Sequence, residues 1–187
     1  MSGWILGVLA LLCGLFAIKL LYVFATVSVH PITQGAMFVP TANIRVRTFL
    51  DAVSMNADDL LVDVGCGDGR VLRAARKRYG VTALGFEINC LAYLIARIRN
   101  LGIEGVRVRW GNFWKADIGD ANVVFCYLFP DVMERLAKKL DKELRPGTRV
   151  ASCNFPLPGW KPLEVLFPDS SLHGDPIFIY LIGAHLP

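Results

Sequence analysis

A turn rich in glycine and aspartate reads Asp63-Val64-Gly65-Cys66-Gly67-Asp68-Gly69-Arg70. It follows the apolar run 60–64, whose pattern is typical of a strand buried on both faces of a sheet. It precedes residues 69–79, whose apolar spacing predicts a helix. Glycines let the chain turn sharply and let a ligand approach backbone N–H groups at a helix N-terminus. A strand, a glycine-rich turn and a helix in this order indicate an α/β domain with a ligand site at the turn.

The rest of the chain continues this alternation. Before the turn, residues 42–55 form a short predicted helix that Thr41 could cap. After it, the pattern predicts helices at 89–100 and 130–144 and strands at 81–86, 106–110, 122–128, 149–153, 163–167 and 177–184. No helical pattern separates the last two strands, so we expect them to form an antiparallel hairpin at the sheet edge. The predicted fold is α/β: a Rossmann-like, mostly parallel seven-stranded sheet with helices on both faces.

The composition divides the chain into two unequal parts. The chain has 187 residues, of which 54% are hydrophobic and 19% charged, whereas an ordinary soluble domain carries about 25% charged residues. The excess apolarity lies in the 27 residues Gly3–Val29, whose only charged side chain is Lys19. The other 160 residues have the size and composition of one normal domain. Disordered, collagen-like and disulfide-stapled classes are therefore excluded.

The apolar N-terminal stretch is long enough to cross a membrane. As a helix rising about 1.5 Å per residue it would extend roughly 40 Å, against a hydrocarbon thickness of about 30 Å. Trp4 and Tyr22 suit the two membrane interfaces. A cleaved signal peptide is the alternative, but it requires a positively charged start, which residues 1–4 lack. Because Arg45 and Arg47 follow the helix, the positive-inside rule places the domain of this single-pass protein on the cytoplasmic or matrix-like side.

These patterns set the domain boundaries and exclude some chemistry. We expect a transmembrane anchor at 3–29, a linker and short helix at 30–56, and the α/β domain at 57–187. The five cysteines form no CxxC pair and have no metal-like spacing with the three histidines, which indicates reduced thiols and no metal site. Five basic residues lie between Arg70 and Arg78. They could form a nucleic-acid patch, but a solvated helix face near a membrane surface is favoured.

The predicted site suits a cationic nucleoside better than a dinucleotide. In the dinucleotide fingerprint a third glycine permits close packing of helix on strand, and Arg70 stands at that position here. Asp63 and Asp68 would put carboxylates where a pyrophosphate should bind, which suits a ligand carrying an ammonium and a sulfonium group. Glu87 ends the second strand, where a carboxylate can accept hydrogen bonds from both ribose hydroxyls.

Two residues after the third strand extend this site to an adenine. Asn112 could bond the adenine amino group, and Phe113 could stack on the ring. In the alternative interpretation the glycines only form a turn and Glu87 is a solvated strand end. Three successive strand ends with suitable chemistry favour S-adenosylmethionine as the cofactor. The predicted cofactor-binding residues are Asp63, Gly65, Cys66, Gly67, Glu87, Asn112 and Phe113.

Over residues 38–187 the sequence resembles the class I, seven-strand methyltransferases. More narrowly, it resembles the membrane-anchored protein-lysine methyltransferases of the mitochondrial adenine nucleotide translocase and of the c-ring protein of ATP synthase, together with their prokaryotic relatives. The matching segments are an apolar N-terminal helix, the pre-methyltransferase segment 38–41, the loop 63–70, the strand end 85–89, the loop 112–115 and the stretch 154–160. The sequence departs from this family at three places. The family usually has an acidic residue where Asn112 stands and often a basic residue where Asn154 stands. It also usually has small residues at the turn that is 127–129 here.

The resemblance implies a membrane-anchored protein-lysine N-methyltransferase whose methyltransferase domain is 57–187. Its partners would be the lipid bilayer and a membrane or membrane-proximal protein, without nucleic acid. Tyr127 and Asn154 are candidates for orienting the amine, and aromatic side chains could hold cationic lysines by cation–π contacts. The candidate substrate channel comprises Phe38, Pro40, Trp114, Phe129, Pro130, Phe155 and Trp160. The alternatives are a small-molecule or lipid methyltransferase at the membrane and a non-catalytic membrane assembly factor that kept the fold.

Overall fold

Seven strands form a single sheet within residues 3–28, 40–169, 172 and 174–185, which the computed structural model describes. They are β1 (Leu60–Val64), β2 (Thr82–Glu87), β3 (Val106–Trp110), β4 (Val123–Cys126), β5 (Arg149–Cys153), β6 (Glu164–Leu166) and β7 (Ile177–Leu181). Their order across the sheet is β3-β2-β1-β4-β5-β7-β6. The first five strands are parallel, β7 runs antiparallel to β5, and β6 runs antiparallel to β7. The predicted fold class is therefore confirmed.

The helices are α1 (Gly3–Ser28), α2 (Asn43–Ala52), α3 (Arg70–Tyr79), α4 (Cys90–Arg99) and α5 (Pro130–Glu143), with a 3₁₀ turn at Phe113–Lys115. Helices α2 to α5 cover both faces of the sheet. Buried residues of α2, α3 and α4 pack in one core cluster, and those of α5 pack in a second. Because successive side chains of a strand point to opposite faces, β4 contributes alternately to the two cores. Phe125 enters the first core, where its ring lies 4.8 Å from that of Phe49, and Val124 enters the second.

Three local details bear on the sequence prediction, and one of them contradicts it. The two last strands do pair, but β7 lies between β5 and β6, so the later strand of the hairpin is the inner one. The predicted Thr41 cap is wrong: α2 begins after Ala42 with no side-chain cap, and the Thr41 carbonyl accepts a hydrogen bond from Arg70. Phe38, predicted to line the substrate channel, lies outside the described residues.

The N-terminal helix α1 is apolar over its length. Its segment Trp4–Val23 is long and apolar enough to span a membrane, and all 20 of its residues are exposed. The described part of the α/β domain therefore does not cover this segment.

Candidate functional site

The glycine turn 65–69 lies at the carboxyl end of β1, against the neighbouring strand β2. The backbone N–H groups of Gly65 and Cys66 both donate to the Phe86 carbonyl at 3.0 Å. The N–H of Gly67 donates to Oε2 of Glu87 at 2.9 Å. Gly65 and Gly67 reach this arrangement with φ of 94° and 54°, which glycine adopts without strain. These three amides are thus used within the protein and do not form a cradle for a phosphate.

The Glu87 carboxylate joins β2 to the turn and stays available to a ligand. It is buried, and Oε1 accepts the N–H of Asn89 at 2.8 Å while Oε2 accepts that of Gly67. Each oxygen has a second lone pair, which can accept a ribose hydroxyl. Burial raises the pKa of Glu87, and the backbone N–H donors at Asn89 and Gly67 oppose that rise. This acceptor-only group fits the sugar of an adenosine.

Asp63 places a second buried carboxyl beside Glu87. Its exposed fraction is only 2%. Burial raises the pKa of Asp63 well above its ordinary value, and the charges of Glu87 and Asp68 raise it further. A cationic group bound next to these carboxyls would offset that penalty. The residues present therefore fit S-adenosylmethionine, whose ammonium and sulfonium groups are cations and whose ribose hydroxyls are donors.

The Asp68 carboxylate is already paired within the protein. It accepts hydrogen bonds from Arg70 Nε at 3.0 Å and Arg70 Nη2 at 2.9 Å, and it forms an ion pair with Arg99 of α4. Burial alone would raise the pKa of Asp68, but the hydrogen bonds and charge of Arg70 outweigh it and lower the pKa. Asp68 thus ties the turn to α4, whereas the buried Asp63 has no such cationic partner among the ion pairs of the described residues.

Cys66 presents its backbone, not its thiol, to the cofactor side of the turn. The thiol lies in the first core, packed against β2 so closely that a Cβ at Gly85 would be 2.5 Å from Cys66 Sγ. Burial raises the pKa of the Cys66 thiol, and the nearby Asp63 charge raises it further. The thiol is therefore a neutral packing group, and a cofactor role for Cys66 rests on its main chain.

The adenosine end of the site is a cleft between the turn, β2 and the loop after β3. Asn112 caps the 3₁₀ turn, since its Oδ1 accepts the Trp114 N–H at 3.0 Å. Its amide NH₂ group is left as a donor, which suits a ring nitrogen of adenine better than the adenine amino group. Phe113 is largely buried with its ring 4.3 Å from that of Trp114. The cleft is lined by Gly65, Phe86, Glu87, Ile88, Gly111, Asn112, Phe113, Trp114 and Leu128.

A second cleft adjoins the first on the opposite side of Gly65. It is lined by Pro40, Thr41, Asp63, Gly65, Cys66, Gly67, Asp68, Arg70 and Val71. Gly65 lines both clefts, so they adjoin at the carboxyl end of β1. Pro40, predicted for the substrate channel, lines this second cleft, and Arg70 donates a hydrogen bond to the neighbouring Thr41 carbonyl at 2.7 Å.

Tyr127 and Asn154 follow β4 and β5 and share a polar cluster with two residues that the sequence analysis missed. The guanidinium of buried Arg45 lies 5.3 Å from the Tyr127 ring centroid and forms an ion pair with Asp175. With its amide nitrogen facing Asp175, Asn154 donates to both carboxylate oxygens at 3.3 Å. Arg45 and Asp175 are 130 positions apart, so no local pattern could have joined them.

The predicted channel aromatics do not form one group. Trp160 packs edge-on against Tyr180 at 5.5 Å and lies 4.0 Å from the His185 ring, so it belongs to the second core. Phe155 packs against the same core, whereas Tyr127 packs against the first. Trp114 already has the Arg135 guanidinium 4.2 Å from its ring. Phe129 and Pro130 form the start of α5. The cluster around Tyr127 is thus the better candidate for the acceptor end.

Fold and site together define a class. Five parallel strands, an antiparallel β7 inserted next to β5, and a carboxylate-lined adenosine cleft at β1 and β2 are the features of the class I S-adenosylmethionine-dependent methyltransferases.

Comparison with known proteins places the chain within that class. It belongs to the family of the ANTKMT methyltransferase domain, whose profile matches residues 63–164. A protein-lysine N-methyltransferase of Saccharolobus islandicus is 40% identical over 152 residues, which are 79% of this chain and 94% of the relative. The adenine nucleotide translocase lysine N-methyltransferase of Mus musculus is 37% identical over 109 residues, which are 57% of this chain and 48% of the relative. The chain is therefore similar to nearly all of the first relative and to about half of the second.

A solved structure agrees with the fold and the cofactor. An RNA methyltransferase from Salinibacter ruber in complex with S-adenosyl-L-homocysteine has a TM-score of 0.72 and 33% identity, and the match covers 80% of this chain and 97% of that one. S-adenosylhomocysteine is what remains of S-adenosylmethionine after it has given up its methyl group. The chain is thus an S-adenosylmethionine-dependent methyltransferase.

Proposed function

We propose that the protein is a membrane-anchored protein-lysine N-methyltransferase whose substrate is a membrane or membrane-proximal protein. The observation that supports lysine most is the 40% identity to a protein-lysine N-methyltransferase along 94% of that relative's length. The acceptor end adds a chemical argument. Asp175 offers a half-exposed carboxylate beside Tyr127 and Asn154, which suits a lysine ammonium approaching from solvent.

The chain's residues have two tasks in such a transfer. S-adenosylmethionine, when bound, supplies an electrophilic methyl group. Glu87 and Asp63 hold and orient the cofactor, so that the reacting carbon is fixed relative to the acceptor end. Tyr127, Asn154 and Asp175 position the amine, which must lose a proton before it can attack. The sulfonium charge and desolvation lower the pKa of that amine, so the cluster acts by positioning and by excluding water.

RNA methylation is a second candidate because the Salinibacter ruber structure carries that description. The loop after β4 argues against it. Methyltransferases that act on nucleobases commonly have an asparagine or aspartate followed by two prolines and an aromatic residue there, and residues 126–130 read Cys-Tyr-Leu-Phe-Pro. A small-molecule or lipid acceptor and a non-catalytic assembly role have less support.

We infer membrane anchoring from the length and apolarity of α1. Its exposed apolar segment Trp4–Val23 matches a bilayer in length, and its single charge, Lys19, lies near one end and can reach the interface. Arg45 and Arg47 after the helix favour a domain on the cytoplasmic or matrix-like side. The eleven residues 29–39 between α1 and the domain extend at most about 40 Å. The site would thus remain close to the membrane surface.

Methyl labelling tests the reaction. The full chain is incubated with radiolabelled S-adenosylmethionine and with membranes from cells of the source organism in which the gene for this chain is deleted. We expect a labelled protein band, and mass spectrometry of that band should find methylated lysine. Glu87→Ala should abolish the label, while the exposed and distant Glu134→Ala should keep it. Label found in RNA, in the lipid extract or in small molecules would overturn the lysine assignment.

Alkaline carbonate extraction tests the anchor. The full chain should stay in the membrane pellet, and Leu11→Arg combined with Leu15→Arg should release it, because charges at the centre of a spanning helix are costly. Release of the unaltered chain would contradict anchoring without affecting the lysine assignment.

A further inference from the structure

One face of α4 and its C-terminal extension carries an exposed apolar row. The residues are Leu91, Leu94, Ile98 and Leu101, with exposed fractions of 39, 49, 74 and 82%. Their spacing of three, four and three positions puts them on one side of the helix. Ala92 and Ala96 on the other side pack against the sheet. We call the four exposed residues the α4 stripe.

Trp110 continues the apolar surface beside the α4 stripe. It ends the edge strand β3 and is 62% exposed, with its ring 6.4 Å from that of Tyr93. The indole N–H donates to the Ile88 carbonyl at 3.1 Å, which fixes the ring. Scattered exposed apolar residues are normal in proteins, whereas a contiguous row with a fixed tryptophan indicates a contact surface.

The charges around the α4 stripe indicate what it contacts. A groove between α4 and β3 is lined by Arg97, Leu101, Glu104, Arg107 and Arg109, and its three arginines are exposed. Within the described residues no carboxylate lies within ion-pair distance of these arginines. Apolar side chains flanked by unpaired arginines and an interfacial tryptophan are the features of a surface that lies in the headgroup region of an anionic bilayer.

The opposite sheet edge also has exposed apolar residues but the wrong charge for such a bilayer. On and beside β6, Leu163 and Phe167 are 67 and 70% exposed. Their charged neighbours are Lys161, Glu164 and Asp169, which carry a net charge of −1, and the sequence has no arginine after Arg149. The groove between α4 and β3, with three arginines and Glu104, carries a net charge of +2 and suits anionic headgroups better.

We propose that the α4 stripe, with Trp110 and the arginines of the α4–β3 groove, rests on the anionic bilayer into which α1 inserts. This contact rests on the anchoring proposed above. It fixes the orientation of the α/β domain relative to the membrane, which the linker 29–39 alone would not determine. Because α4 begins three residues after Glu87, the contact holds the adenosine side of the site next to the membrane. The carboxyl edge of the sheet, with the acceptor end, then opens sideways along the surface, where the lysine of a membrane protein could reach it.

Depth measurement on the full chain tests this contact. A polarity-sensitive fluorophore is placed on Ile98→Cys in a Cys13→Ala, Cys90→Ser background, and the chain is reconstituted in vesicles of phosphatidylcholine with phosphatidylglycerol. Brominated lipids should quench the fluorescence at position 98 at least twofold more than that of the same fluorophore on Lys138→Cys. Position 138 is the control because α5 packs on the other face of the sheet. Leu94→Asp with Leu101→Asp, and separately Arg97→Glu with Arg107→Glu, should remove the difference. Vesicles of phosphatidylcholine alone should reduce it.

The results separate this contact from the anchor. Equal quenching at the two positions in a chain that resists carbonate extraction would overturn the lipid contact and leave anchoring intact. Protection of position 98 only after addition of membrane proteins would also overturn it, in favour of a protein partner. Release of the chain by carbonate would remove the anchoring on which the contact depends.

Discussion

Asp63 is a buried carboxyl, and we propose that its charge is retained because it binds the cationic cofactor. Because burial raises its pKa, the folded state binds a proton more tightly than the unfolded state. The penalty appears as pH rises past the unfolded pKa and is complete above the folded pKa. Asp63→Asn removes the charge, so at neutral pH we expect an unfolding free energy higher by about 1 kcal/mol or more and weaker S-adenosylmethionine binding.

Thermal unfolding and calorimetric titration of the cofactor check this pair of effects. The difference in stability between Asp63→Asn and the unaltered chain should shrink as pH is lowered, because the aspartate becomes protonated. A variant that loses stability and binding together would show that Asp63 is structural.

Glu87 should set the acidic limit of cofactor binding. Its pKa is raised by burial, so it takes up a proton at a higher pH than an exposed glutamate does. Protonation turns one ribose acceptor into a donor, and the affinity for S-adenosylmethionine should fall as pH decreases through this raised pKa. Glu87→Gln should bind at least tenfold more weakly and lose the part of the pH dependence that comes from Glu87, leaving the part that comes from Asp63. Binding titrations at several pH values between neutral and acidic measure this affinity, and Glu134→Gln, at an exposed position, is the control. An affinity of the unaltered chain for S-adenosylmethionine that does not change with pH would contradict the prediction.

At the residue scale, the sequence predicted the site residues that lie at the ends of strands. It did not predict pairs of residues that are far apart in the sequence and meet only in the folded chain. Glu87 and Asn112 each directly follow or end a parallel strand, and the carboxyl ends of such strands always meet at one edge. Asp68 stands in the same turn, yet Arg99 reaches it from a helix 31 positions away. Arg70, two positions after Asp68, pairs with the same carboxylate, so only the contribution of Arg99 lies beyond local sequence reasoning.

At the scale of elements, the contact between the turn and β2 depends on the absence of a side chain at Gly85. A Cβ there would lie 2.5 Å from Cys66 Sγ and 2.7 Å from Leu72 Cδ1, both in the first core. We expect Gly85→Ala to cost roughly 1–3 kcal/mol by overpacking and to displace the turn. Thr82→Ala, at an exposed position of the same strand, is the control in denaturant unfolding. Equal stability of the two variants would show that α3 can shift at no cost.

The limits of three strands were predicted correctly, because turn residues bound each of them. The observed β1, β3 and β5 coincide with their predicted limits. The observed β4 is shorter than the predicted strand 122–128, since it ends at Cys126. Residues 127–129 leave the sheet, and Leu128 lines the first cleft. The 3₁₀ turn at Phe113–Lys115 is too short to show a period. The inner position of β7 follows from burial, since Ile177, Ile179 and Tyr180 are buried and β6 has no buried residue.

At the scale of the whole molecule, three thiols should react with a reagent only when the whole domain unfolds. Cys66, Cys126 and Cys153 are buried, and burial raises the pKa of each, that of Cys126 to about 12. Cys90 is exposed on α4. We expect a maleimide reagent to modify Cys90 in the native chain and the three buried thiols only at denaturant concentrations that unfold the domain. Mass spectrometry of each cysteine peptide measures this, and modification of Cys126 as fast as Cys90 would contradict the packing.

The amides of the glycine turn also determine which metabolites the enzyme ignores. Since Gly65, Cys66 and Gly67 donate their N–H groups to β2, the turn offers these donors to no phosphate oxygen. Asp63 and Glu87 repel anions from the same place. Inorganic phosphate would thus meet carboxylates and no free donor among these three amides, so we expect it to leave the affinity for S-adenosylmethionine unchanged.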